Sequence, residues 1–370
     1  VAVQSTEVPG DKAWPTQPIA TLPEPFVRQA FIESDISDRT PEIHTELLEQ
    51  FKKLKTGEQF IPFGFQGAFI MPGFDGGGEW GGAAVDPESQ IMYVNASEIP
   101  WWSNMQANPA LNPINGSTLK EVGKSATRRY CVTCHGAELQ GNGKTFPSLA
   151  DLNKRMTEPQ LRSLLENGRS LMPAFKQIPE NEKTSMIAYL LDQEDKEAIA
   201  PAVVPGGRGG AGGGRQGGPV ASRDKIAPYT FGGYHKFYDK DGYPGVKPPW
   251  GSLNAINLST GKRVWKIALG EFEALKKQGL PATGTEVYGG PVVTKGGLVF
   301  VASTQDEKIR AFDKTDGKML WEAKLPAAGY ATPAVYTIKG RQFVVIAAGG
   351  GKLGSPVGSQ YVAFALPEKR

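Results

Sequence analysis

Cysteine occurs twice in this 370-residue chain, as Cys131-Val-Thr-Cys134, and His135 follows the second directly. Two thiols at this spacing can each add across a vinyl group of a haem, and the adjoining imidazole then falls on the iron. The pattern is therefore read as thioether attachment by Cys131 and Cys134, with His135 as the first axial ligand. Two other chemistries use the same residue types. A redox dithiol wants a thioredoxin-like βαβ setting, which the flanking sequence lacks. A zinc site needs a fourth ligand, and His44 and His235 are the remaining histidines.

The iron's opposite face needs its own donor. Met172 lies 37 residues after His135, within Gly168-Arg-Ser-Leu-Met-Pro-Ala-Phe175. A methionine on a short loop beside proline can present its thioether there, and His/Met ligation raises the reduction potential as an electron carrier requires. Core filling is the competing role. Met156 and Met186 are the other local candidates, and Met186 shares a predicted helix with Ile187, Leu190 and Leu191. Pro147-Ser-Leu149 is expected to offer a backbone carbonyl to the second ring nitrogen of His135 and fix its orientation.

Helices must hold these ligands. Ser117 to Tyr130 reads as a helix leading into the cysteine motif. Thr157-Glu-Pro-Gln160 has the form of a capping box, opening a helix to about Asn167 that Gly168 stops. A third helix runs from Glu182 to about Gln193. Three helices in this segment, C-x-x-C-H and the downstream Met-Pro resemble a class I cytochrome c domain, which implies haem c as the core filler.

Composition narrows the rest. Lysine and arginine number 41 against 38 acidic residues, a formal charge of +3, so nothing points to nucleic acid or another strongly charged partner. The 46 glycines and 29 prolines fit a turn-rich β protein. No apolar run approaches the length of a membrane span. The chain starts at Val1 with no visible signal peptide, which reads as a processed chain or a fragment.

Along the chain, residues 1–57 are irregular apart from a helix from Thr40-Pro41 to about Lys53, apolar at Ile43, Leu47, Leu48 and Phe51. His44 on that helix reads as a surface or packing residue. Residues 58–115 carry strand signals: Gly67 to Met71, then a hairpin of Ala83–Val85 and Ile91–Val94 about Asp86-Pro-Glu-Ser. Between them, the glycines of Gly76–Gly82 surround Glu79-Trp80. They leave room for a ligand to approach the backbone over a flat indole face, or they form a twisted β edge around a buried tryptophan. Residues 206–218 hold nine glycines in thirteen and read as a flexible linker, spanning roughly 20 Å.

Residues 219–370 contain a repeat. Ala255-Ile-Asn-Leu-Ser-Thr-Gly-Lys-Arg-Val-Trp265 aligns with Ala311-Phe-Asp-Lys-Thr-Asp-Gly-Lys-Met-Leu-Trp321 at an offset of 56. Each reads as strand, tight turn, then strand ending in tryptophan. Repeats of this length indicate propeller blades, with the tryptophans docking between neighbours; a solenoid or sandwich is the alternative.

This repeat, Tyr288-Gly-Gly-Pro291, Ala331-Thr-Pro-Ala334 and Ala347-Ala-Gly-Gly-Gly-Lys352 resemble the C-terminal half of the pyrroloquinoline quinone (PQQ) dehydrogenases. Pro248-Pro-Trp-Gly-Ser-Leu-Asn-Ala255, Val8-Pro-Gly-Asp11 and Pro15-Thr-Gln-Pro18 point to the membrane-type glucose dehydrogenase branch. The resemblance implies a mainly β fold: part of an eight-bladed quinoprotein propeller (1–115 and 219–370) with an all-α cytochrome c domain (116–200) and a linker (201–218) inserted. It implies PQQ near the propeller axis beside Ca2+ or Mg2+. Glu79-Trp80 falls where alcohol-oxidising relatives place Asn-Trp against PQQ, and glutamate there is a departure. Tyr288 corresponds to a residue over the quinone ring, with Gly289 giving close approach, and Gly349 and Gly350 to the last blade's inner loop.

The family's catalytic aspartate, quinone-binding lysine and metal ligands come from earlier blades and have no counterpart here. At about 40–50 residues per blade, the roughly 270 residues outside the haem segment and linker make about four blades. The other half is expected upstream in the same polypeptide or in a separate chain. The implied function is a quinohaemoprotein dehydrogenase. It oxidises a sugar or alcohol at PQQ and relays electrons through haem c to an external acceptor such as a soluble cytochrome, a quinone or the respiratory chain, and it is inactive without the missing half. The alternative is an electron-transfer cytochrome module on an inactive propeller. Resemblance to c-type cytochromes implies a periplasmic location, with any membrane association supplied by parts outside this chain.

Overall fold

The computed structural model describes residues 1–57, 59–108, 114–141, 146–169, 172–198 and 227–366. The stretch 206–218 read as a linker lies outside them. The chain divides into one unit formed by Val1–Asn104 with Tyr234–Arg370, and a second, Met105–Gly233, inserted into it.

Among the described residues the first unit holds four antiparallel sheets. Strands β1 (Ala68–Ile70), β4 (Trp101–Ser103) and β7 (His235–Lys236) make one of three strands. The second, in order β2 (Ala84–Asp86), β3 (Ile91–Ser97), β8 (Gly251–Asn257) and β9 (Lys262–Ala268), joins residues from both sides of the insertion. Its central pairing runs from Ile91 opposite Asn257 to Ser97 opposite Gly251. The third is a four-stranded meander, β10 (Val292–Val293), β11 (Leu298–Val301), β12 (Lys308–Asp313) and β13 (Met319–Lys324). The fourth has β14 (Ala334–Ile338), β15 (Arg341–Gly350) and β16 (Val357–Ala365).

Alternation along each strand stacks the sheets. Val299 and Val301 of β11 join Tyr93, Leu253 and Ala255 of the second sheet in one buried cluster. Phe300, lying between them in sequence and so facing the opposite side, joins Val344, Ile346 and Ala348 of the fourth. A sheet buried on both faces between like sheets is a propeller blade, and the arrangement is part of a β-propeller. The repeat tryptophans dock as expected. Trp265 Nε1 donates to the Lys314 carbonyl of the next sheet at 3.3 Å, and Trp321 packs edge-on against Phe364 of the fourth at 5.2 Å. Both lie inside their strands, which run on to Ala268 and Lys324, rather than ending them.

The fourth sheet is apolar on both faces. Val344 and Ile346 face the third sheet. The opposite face carries Tyr336 against Phe343 and Val345 against Ala363, and it leaves Tyr336, Ile338 and Tyr361 exposed. Ahead of the sheets, helix α1 (Pro41–Phe51) starts at Thr40, whose hydroxyl accepts from Ile43 N at 3.3 Å, a cap of about 1 kcal/mol. Its Ile43, Leu47 and Phe51 enter an aromatic cluster with Phe31, Phe69 and Trp101.

In the second unit, α2 (Leu119–His135), α3 (Glu158–Asn167) and α4 (Glu180–Leu190) form the core. Strands β5 (Met105–Ala107) and β6 (Tyr229–Phe231) pair where the insertion begins and ends. Helix α2 continues through the cysteine motif instead of stopping before it. Helix α3 opens with Thr157 N donating to Gln160 Oε1 at 2.9 Å, the reciprocal contact of a capping box. Helix α4 starts two residues earlier and ends three residues earlier than its sequence pattern suggests.

Candidate functional site

In the second unit, the last turn of α2 presents Cys131, Cys134 and His135 to a cavity of about 480 Å³ that Met172 also lines. His135 is buried, and its Nδ1 lies 2.7 Å from the Pro147 carbonyl. A carbonyl only accepts, so Nδ1 carries the proton and Nε2 is left as a metal donor. Met172 is held on its loop by two backbone bonds with Arg169, at 2.9 and 3.0 Å. Met156 lines the same cavity, whereas Met186 is fully buried in the helical core. Burial pushes the Cys131 thiol up to about 12 and raises Cys134 too. Neither has the depressed pKa of a redox dithiol. Among the described residues no three histidine, cysteine or acidic side chains are grouped to hold a metal ion.

The cavity fits a haem. Its wall is largely apolar, from Leu152, Leu161, Leu165 and Phe175, and among the described residues its charged lining groups are Arg155 and Arg169. Such a wall suits a hydrophobic macrocycle with two carboxylate side chains, and its volume is in the range of ligand sites. Cys131 and Cys134 would carry the thioethers, and His135 and Met172 the iron.

In the first unit, the structure brings together Glu79, Trp80, Tyr288 and Gly289. The Trp80 and Tyr288 rings lie 5.0 Å apart and 23° from parallel. Trp80 is 61% exposed, so the reading of this stretch as an edge around a buried tryptophan does not hold. The loops meet backbone to backbone: a Cβ on Gly81 would lie 1.9 Å from the Gly289 carbonyl carbon. Asn95 Nδ2 donates to the Gly289 carbonyl at 2.9 Å, and Thr332 Oγ1 links Gly290 N to the Gly81 carbonyl.

Gly349 and Gly350 end β15. Gly350 N donates to the Ala328 carbonyl at 2.9 Å, while Gly349 is exposed with open space around it. A Cβ on Gly350 would meet Pro356 and Ala327, and one on Gly349 nothing within 4 Å, so neither meets the aromatic pair. The residue of that loop which does is Lys352, with Nζ 4.3 Å from the Trp80 ring centre and 4.0 Å from that of Tyr288. Lys352 ends the Ala347–Lys352 motif, and no local signal in the sequence marks its place over these rings.

Behind the rings lies a buried ionic network. Tyr288 Oη donates to Asp75 Oδ2 at 3.2 Å and lies 3.4 Å from Glu286 Oε1. Glu286 pairs with Lys236 and accepts from Tyr238 Oη at 3.1 Å. Burial raises Glu286 against the opposing charge of Lys236, and burial followed by the charges of Glu286 and Asp75 raises Tyr288. Burial, then the charge of Asp75, pushes Glu79 up to about 7. At neutral pH this carboxyl is therefore about half protonated. An exposed flat ring, a cation over it and a partly neutralised acid fit a planar aromatic polycarboxylate such as PQQ. Trp80 would give the stacking face and Lys352 the positive charge.

The chain belongs to the family of PQQ-containing glucose/ethanol/alcohol dehydrogenases, whose β-propeller model matches residues 1–148 and 181–344. A second model, cytochrome c oxidase cbb3-type subunit III, matches residues 119–190. The chain is 45% identical over 134 residues to quinoprotein glucose dehydrogenase A of Acinetobacter calcoaceticus, covering 35% of this chain and 17% of that one. It is 28% identical over 374 residues to the glycerol dehydrogenase large subunit of Gluconobacter oxydans, covering 98% and 38%. It is 26% identical over 371 residues to the quinate/shikimate dehydrogenase (quinone) of Acinetobacter baylyi, covering 98% and 34%. The chain thus spans less than two fifths of the length of these relatives. It is a quinoprotein-type partial propeller with an inserted cytochrome c domain.

Proposed function

We propose that this chain is the C-terminal part of a quinohaemoprotein dehydrogenase that oxidises a sugar or alcohol and passes the electrons through its own haem c to an external acceptor. The observation that carries the reading is one chain holding both an oriented His135 in a haem-sized cavity and the Trp80–Tyr288–Lys352 cradle. PQQ supplies two-electron acceptance when bound, and a haem supplies single-electron transfer. Trp80 and Tyr288 would position the flat ring, and Lys352 and the Asp75–Glu286–Lys236 network set the charge around it. His135, oriented by Pro147, and Met172 would hold the iron. The Ca2+ or Mg2+ beside PQQ would take its ligands from polypeptide outside this chain.

The open face of the fourth sheet supports the need for that polypeptide. Tyr336, Phe343, Val345 and Tyr361 make an apolar surface of the kind that marks an interface. In this reading the rest of the propeller covers it, from the same polypeptide or a separate chain, and activity requires it. In this reading, covalent haem attachment supports a location outside the cytoplasm, in the periplasm. Among the described residues no helix is long and apolar enough to cross a membrane.

Purified full-length polypeptide, haem-loaded, is mixed with PQQ, calcium and glucose, glycerol or quinate, without a chemical reductant. Reduced c-type haem bands that appear only with PQQ present support the proposal. Bands that respond to dithionite but to no such substrate, with PQQ bound, would leave an electron-transfer module on an inactive propeller.

A further inference from the structure

Lys352 is held by its backbone, and its ammonium feels the charge of Glu79 without closing an ion pair on any described carboxylate. Its carbonyl accepts from Tyr330 Oη at 3.3 Å and from Ser355 N and Oγ at 2.9 and 2.8 Å. Tyr330 in turn packs edge-on against Tyr288 at 5.7 Å. These contacts fix where the side chain starts. Its Nζ then reaches two aromatic rings, 4.3 Å from the centre of Trp80 and 4.0 Å from that of Tyr288. Lys236, by comparison, pairs with Glu286 and Asp75. Lys352 forms no ion pair with a described carboxylate.

Two aromatic faces hold an exposed cation only weakly. They leave its hydrogen-bonding capacity for a ligand. An ammonium has three donors and no acceptor, so the ligand group that suits it is an anion, and the exposed face of Trp80 beside it suits a flat ring.

We infer that Lys352 is the anion anchor of the cradle, pairing with a carboxylate on a planar aromatic ligand stacked on Trp80. This rests on the reading of the cradle as a PQQ site, and it assigns a charge-recognising role to a residue outside the Glu79-Trp80 and Tyr288-Gly289 pairs. It also accounts for a glutamate being tolerated at position 79. The cation at Lys352 offsets it, and Glu79 is partly protonated at neutral pH.

The test compares PQQ with its uncharged trimethyl ester. Each is titrated into the full-length polypeptide, with binding read from quenching of tryptophan fluorescence, for the wild type, Lys352→Arg and Lys352→Met. A charge-assisted hydrogen bond contributes about 1.5–3 kcal/mol, so Lys352→Met is expected to weaken PQQ binding by about tenfold or more. It should leave the ester unchanged, and Lys352→Arg should retain most of the affinity. Equal loss for both ligands would make Lys352 a packing residue, and no loss for either would remove it from the site; each overturns the inference while the cradle stands. Wild type that binds neither ligand overturns the cradle reading and the inference together.

Discussion

Substituting Gly81 by alanine tests whether the meeting of two loops is what sets Trp80 against Tyr288. The new methyl carbon would sit 1.9 Å from the Gly289 carbonyl carbon and 2.0 Å from Gly290 N, where ordinary contact begins near 3.4 Å. The loops must therefore part by about 1.5 Å, and both obstructing atoms are backbone, which cannot rotate aside. Overpacking costs about 1–3 kcal/mol. Parting the loops also strains the link through Thr332 Oγ1, which bonds Gly290 N at 3.0 Å and the Gly81 carbonyl at 3.2 Å, each bond contributing about 0.5–1.5 kcal/mol. A loss of about 3 kcal/mol is expected for Gly81→Ala. The neighbouring Gly82 is the control: its φ is +66° and a Cβ there meets nothing within 4 Å. Gly82→Ala should then cost only the left-handed backbone penalty, about 1–2 kcal/mol. Urea unfolding followed by tryptophan fluorescence gives the energies, and near-ultraviolet circular dichroism reports the Trp80–Tyr288 stack. Gly81→Ala should lose the stack signal and Gly82→Ala keep it. If Gly81→Ala is no more destabilising than Gly82→Ala and keeps the signal, the close approach is not what holds the rings together.

Other substitutions probe other parts of the account. Met172→Ala should lower the haem midpoint potential and open the iron to carbon monoxide, while Met156→Ala should do neither; the reverse pattern in a carbon monoxide difference spectrum would move the axial ligand to Met156. Glu79 is raised from 4.5 to about 7, first by burial and then by Asp75, with Lys352 opposing and Glu286 adding. Its neutral form is thus the one the fold favours, so its stabilising contribution is complete below about pH 4.5 and is lost as pH rises to about 7. Urea midpoints at pH 5 and pH 8 should therefore fall less between the two for Glu79→Gln than for wild type; equal falls would mean that Glu79 does not carry this linkage. Val345→Lys should weaken association with the upstream half of the propeller at least about 100-fold, because burying an unpaired ammonium costs several kcal/mol. Co-sedimentation of the two halves measures it, and unchanged association would show that this face is not their contact.

Much of the candidate haem site was legible because its parts are local. Cys131, Cys134 and His135 are contiguous on one helix turn, and Pro147 is close enough in sequence for its carbonyl to be anticipated as the partner of His135 Nδ1. The boundaries of α3 followed from Thr157, Gln160 and Gly168, each of which acts on neighbouring backbone groups. The extension of α2 through Cys131–His135 was less visible. Thr127, Val132 and Thr133 are weak helix formers, and what holds that turn is burial of Ala126, Cys131 and Val132 against the core. Met156 beside Met172 in the cavity wall was likewise a matter of packing, which spacing along the chain does not encode.

The propeller showed the same division. The repeat of Ala255–Trp265 at Ala311–Trp321 marked strands, turns and docking tryptophans, because each sheet repeats one local solution. The pairing of β3 with β8 joins residues from either side of the inserted unit, and no local signal announces it. The cradle depends on contacts of this kind. Trp80 looked equally like a buried residue until its neighbours were placed. Lys352 reaches it from the loop between β15 and β16, and the Asp75–Tyr288–Glu286–Lys236 network draws on three separate stretches only when the sheets have assembled.

The central claim is that electrons taken up at the cradle reach the iron held by His135. The direct test is the absorbance of the haem in PQQ-loaded full-length polypeptide after mixing with a sugar or alcohol, compared with the same protein carrying Trp80→Ala. The account predicts reduced c-type bands within the mixing experiment for wild type, and bands that are slowed or absent for Trp80→Ala although dithionite still reduces its haem fully. Equal substrate-driven reduction in both proteins would contradict it, because the electrons would then reach the haem by a route that does not use this cradle.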